Sequence, residues 1–98
     1  MSNPTFNRAE VEAIQSQAIF LRDLNNTGLP GSRFAFAGEQ WIAHNEVAGA
    51  AAFALDVMDG TAEDIEDVTA NDALWNAIDP VWINYSSAIA QANAGIAA

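Results

Sequence analysis

A 98-residue chain with a net charge of −10, three Arg, no Lys and no Cys excludes disulfide frameworks, thiolate metal sites and lysine chemistry. It also disfavours DNA, RNA and anionic membrane as direct ligands, because phosphate binding needs a basic footprint. A hydrophobic content of 51% is too high for a disordered acidic tail and sufficient for one core.

Ala is the commonest residue, and Ala has the highest helix propensity. The expected fold is therefore all-α: a small compact bundle forming a single helical domain over 1–98. Three main helices are expected near 7–25, 39–58 and 80–96, with one or two short helices between. The segment Met1–Arg8 lacks the charged-then-apolar pattern of a signal peptide, and 80–98 is too polar to span a bilayer, so a cytoplasmic protein is expected.

The first helix has a clear start. Asn7 suits the N-cap and Glu10 then occupies N3, the capping-box spacing. Phe6 and Val11 stand at N′ and N4, the spacing of a hydrophobic staple. Val11, Ile14, Ala18 and Leu21 form the inward stripe, widened by Ile19, Phe20 and Leu24. Asn25–Gly28 and Leu29-Pro30-Gly31 end it. In 32–38 Phe34 and Phe36 alternate briefly, and the segment reads as an extended or loosely helical link with both rings docked on the core.

The second helix has a polar first half and an apolar second half, Val47–Leu55. An all-round apolar segment is expected to be buried on most sides. Gly60 suits the stop after Asp59. Thr61 is expected to cap a short helix over 61–68 with only Ile65 and Val68 inward, and a second short helix over 71–78 contributes Leu74, Trp75 and Ile78. Asp79-Pro80 reads as N-cap and N1 of the last helix, whose seam is Trp82, Tyr85, Ile89, Ala92 and Ile96. Ile14, Leu21, Phe53, Leu55, Trp82 and Ile89 are expected to be buried. The last seam is expected to close the chain's own core, giving a monomer; a homodimer on the same helix is the alternative.

Catalytic patterns are absent. Calcium-loop spacing fails, because Leu55 and Val57 would fall where oxygen ligands belong. His44 has no HExxH context and reads as a half-exposed helix histidine. No Gly-x-Ser-x-Gly elbow or phosphate-binding glycine loop occurs. Paired acids for glycosidase chemistry would need a sugar-sized cleft, hard to build in so short a helical chain. The chain is expected to be no enzyme and to need no cofactor or metal.

One stretch stands out. Residues 59–72, DGTAEDIEDVTAND, hold six carboxylates and no base: Asp59, Glu63, Asp64, Glu66, Asp67 and Asp72. Like charges this dense repel, and a sequence shaped by stability alone would intersperse Lys or Arg. These six are expected to form one solvent-facing patch for a protein or complex with a basic surface. Trp41, among polar neighbours, is a further interface candidate, whereas Trp75 and Trp82 read as packing residues.

In size and charge the chain is similar to small acidic phage-encoded inhibitors, DNA-mimic and anti-CRISPR proteins included. That likeness implies a non-enzymatic inhibitor or regulator docking carboxylates on a nucleic-acid-binding groove. The alternative is a structural or assembly subunit, such as a phage virion accessory or decoration protein, using the small-residue face around Ala50–Ala54 and the charge-free stretch 80–98. Salt sensitivity of binding separates the two.

Overall fold

Helix α1 (Arg8–Asn26) starts through a reciprocal cap. The Asn7 amide donates to Glu10 Oε1 at 2.8 Å, and the Glu10 amide donates to Asn7 Oδ1 at 2.8 Å. Two otherwise unpaired N–H groups are thereby satisfied. Phe6 and Val11 are both buried in one core cluster. The computed structural model that shows this describes residues 4–26, 37–59 and 63–97, with side chains except at 25, 26, 37–40 and 95–97. Val11, Ile14 and Ala18 are fully buried and Leu21 packs beside them. Ile19 and Phe20 are exposed instead of widening the stripe; the one helix face that meets α2 and α4 is narrower than the apolar arc of the sequence.

Helix α2 (Ala37–Met58) packs most extensively on α1 and also on a third helix, α3 (Val68–Ile78). Its buried face is His44, Val47, Ala48, Ala51, Ala54 and Met58. The Ala residues let neighbouring backbones approach closely. The opposite face, Ile42, Glu46, Gly49, Phe53 and Asp56, is exposed. Burial on most sides is thus corrected: Phe53 is 48% exposed, and Leu55 is only half-buried. With α1 and α3 both on one side of α2, its outer face meets water. The left-handed residue ending α2 is Asp59 (φ 55°); Gly60 and the Phe34/Phe36 link lie outside the described residues.

The expected helix over 61–68 is absent from its described part. Residues 63–67 are extended and join the chain ahead of α1: the Arg8 amide donates to Glu63 O, the Ile65 amide to Phe6 O at 3.2 Å, and Asn7 and Asp64 form an antiparallel bridge. Backbone pairing with a segment more than fifty positions away wins over local helix propensity. Ile65 is buried, but Val68 is 65% exposed, contrary to expectation; it opens α3 on the outer side.

Asp67 caps α3, accepting from the Ala70 amide at 3.1 Å. Leu74 and Ile78 fill the core as expected. Asn71 is buried as well: its Oδ1 accepts from the Phe6 amide (3.1 Å) and its Nδ2 donates to Pro4 O (3.0 Å). This side-chain amide clips the N-terminal segment to α3.

The last helix does not run unbroken from Pro80. A 3₁₀ helix (Asp79–Asn84) with Pro80 in its first turn precedes α4 (Ser86–Ala97). Val81 (φ −123°, ψ 25°) interrupts helical geometry, and this turns the chain so that Tyr85 and Ile89 face inward while Trp82 remains 40% exposed. Burial of Trp82 is therefore corrected. α4 packs on α1. The result is a small all-α bundle with no strand among the described residues and a radius of gyration of 13.7 Å, near the ~13 Å of a compact hundred-residue chain.

Candidate functional site

The carboxylates of 59–72 are positioned by backbone, not by buried side chains. Asp59 ends α2 and is exposed; Glu63, Asp64, Glu66 and Asp67 on the extended connection are exposed; Asp72, on α3, is half-buried. Within 63–67 only Ile65 reaches the core. Glu63 and Asp64 join Asn7, Arg8, Ala9 and Glu12 around an open depression of about 450 Å³ at the start of α1.

Two helix starts adjoin this connection, so some of its acidity complements their macrodipoles. Asp67 does so directly as the α3 cap, and Glu63 and Asp64 lie against the start of α1. Asp56 and Asp59 are different. They sit at the C-terminal end of α2, where the macrodipole disfavours negative charge and where no basic residue occurs. Neither macrodipole benefit nor capping accounts for them, or for Glu66.

Trp41 does not join these residues. It is half-buried near the start of α2, while Asp59 follows the other end, a helical rise of roughly 26 Å away. Trp75 stacks on Phe6 at 4.6 Å and on Trp82 at 5.6 Å, and its indole N–H donates to Pro4 O at 2.7 Å. That agrees with a packing role for Trp75, with Trp82 ending the stack.

His44 is corrected from half-exposed to buried, with 3% exposure. Its Nδ1 is hydrogen-bonded to the fully buried Tyr85 hydroxyl at 2.8 Å. Burial pushes the imidazole below its ordinary value of 6.5 and the phenol above its own, so both are neutral near pH 7. The pair joins α2 to the turn before α4 inside the core and has the character of a structural contact. No local pattern signals it, because the partners are 41 positions apart.

Among the described residues no cluster of three or more His, Asp or Glu is placed to hold a metal ion, and no helix is long and apolar enough to cross a membrane. The chain matches no family model, and no curated protein or solved structure is significantly similar to it.

Proposed function

We propose that this protein is a non-enzymatic inhibitor or regulator that acts in the cytoplasm as a monomer. It docks the carboxylates of 59–72 on a basic, nucleic-acid-binding surface of a protein or complex. The observation that carries this reading is the exposure of Asp59, Glu63, Asp64, Glu66 and Asp67 on a segment whose one core anchor among the described residues is Ile65. Residues 34–98 contain no Lys or Arg; Arg8 is the base that lines the depression beside Glu63 and Asp64. Such a surface offers acceptors where phosphates would otherwise sit, and Arg and Lys pair with carboxylates as they do with phosphates. It also accelerates encounter with cationic partners.

The test is capture from a host lysate at low and high salt, with wild type beside Glu63→Gln/Asp64→Asn/Glu66→Gln/Asp67→Asn. The reading predicts that wild type retains a nucleic-acid-binding protein at low salt, blocks its nucleic-acid binding and releases it at high salt. The four-fold variant should do neither. A variant with wild-type capture and wild-type salt dependence would leave the patch as plain solvated surface.

A structural or assembly subunit is the second reading. It is supported by the outer face of α2, where Ile42 and Phe53 flank exposed Gly49. Binding through that face would be largely insensitive to salt.

A further inference from the structure

A second acidic feature lies beyond the connection. Asp72, Trp75, Asp79 and Trp82 follow one another at intervals of three, four and three residues. On α3 that spacing puts Asp72, Trp75 and Asp79 on one side. Asp79 and Trp82 stand three positions apart, across the break in helical geometry at Val81. The stripe survives the break at Val81, because the Trp75 and Trp82 rings lie 5.6 Å apart and only 23° from parallel. Trp82 ends the stack at 40% exposure, the next residue, Ile83, is 86% exposed, and Asp79 is exposed. Packing alone does not explain an indole and an isoleucyl side chain left in water at the tip of a turn.

We infer that this alternating acid–indole ledge is a docking site for an arginine-bearing segment of a partner protein. The inference rests on the basic-partner reading above and names the cation. A guanidinium satisfies both halves of the ledge: it stacks flat on an indole face and pairs in bidentate fashion with a carboxylate. A lysine ammonium supplies the charge without the planar stack. A purely apolar segment would bury the Asp79 carboxylate without a partner, which is costly. Single-stranded nucleic acid would find a ring to stack on, but its phosphates would meet a chain of net charge −10.

Calorimetric titration with oligo-arginine and oligo-lysine peptides of equal length tests this. At low salt wild type should bind both, the arginine peptide roughly two- to fivefold more tightly, as expected for an exposed cation–π contact. In Trp82→Leu, shown folded by circular dichroism, the preference should fall to about onefold while electrostatic binding persists. In wild type the Trp82 indole resonance should shift more on adding the arginine peptide than the lysine peptide, a readout that does not depend on the variant's folding. Equal affinity for the two peptides in wild type, or an undiminished preference in folded Trp82→Leu, overturns the arginine ledge and leaves the basic-partner reading standing. Failure of wild type to bind either peptide overturns both.

Discussion

The seam between α2 and Tyr85 and the connection from Asp59 to Asp67 spend their side chains in opposite ways. In the seam every inward group is buried, and its polar pair, His44 and Tyr85, is satisfied internally. Within 63–67 the order comes from two backbone hydrogen bonds to Phe6 and Arg8, which bracket the Asn7–Asp64 bridge, one cap and one anchor, Ile65. Apart from the Asp67 cap, the carboxylates hold little of the fold together. The comparison teaches that conformation and charge are decoupled at the connection: its shape is fixed by main-chain pairing, which leaves its side chains available for contact.

The largest effects should come from the core side of that contrast. Leu74→Ala or Ile14→Ala should cost roughly 2–5 kcal/mol, because each removes a fully buried side chain and leaves a cavity. Phe53→Ala should cost much less, since that ring is half in solvent. Chemical denaturation of the three variants checks the ranking. Phe53→Ala as damaging as Leu74→Ala would mean that another surface covers the outer face of α2.

Next comes the clip that ties the N-terminal segment to α3. Asn71→Ala should cost about 1–3 kcal/mol, because it strands the buried Phe6 amide; the Pro4 carbonyl keeps its bond from the Trp75 indole. Asn7→Ala, at the half-buried start of α1, should cost only about 0.5–2 kcal/mol. Thermal melts of both test whether the buried clip matters more than the cap.

Acidification should separate the two regions again. The folded-state pKa of His44 lies below 6.5, so the unfolded chain binds the proton first. Its stabilising contribution is complete above pH 6.5 and is lost as pH falls from 6.5 through the folded value. Denaturation between pH 7 and about pH 5 should show this decline, and His44→Gln should flatten it. A pH-independent wild type over that interval would contradict a buried neutral imidazole.

Much of this was legible in the sequence wherever the cause is local. The Asn7/Glu10 cap, the Phe6 and Val11 spacing, Leu74 and Ile78, and the Tyr85 and Ile89 seam all follow from neighbours within a few positions. What escaped is non-local. Thr61 followed by acids resembles a helix start, but residues 63–65 find partners at 6–8. The burial of His44 has no local signal because Tyr85 is distant in sequence, and that of Asn71 has none because its partners are at the other end of the chain. Phe53 escaped for another reason: the Ala-rich half of α2 is apolar on every side, so composition does not say which side is covered. For the candidate site, the exposed acids were legible as charge, but their separation from Trp41 and the Trp75–Trp82 stack required the fold.

The central claim is that the negative charge of the connection, apart from the Asp67 cap, is carried without net benefit to stability. Thermal unfolding of Glu63→Gln/Asp64→Asn/Glu66→Gln/Asp67→Asn beside wild type tests it most directly. Asn at 67 keeps the α3 cap, small macrodipole losses are offset by relief of repulsion, and the melting temperature should stay within a few degrees or rise. A fall well beyond the ~4–8 °C that corresponds to 1 kcal/mol in a chain of this size would contradict the account, because the acids would then be structural.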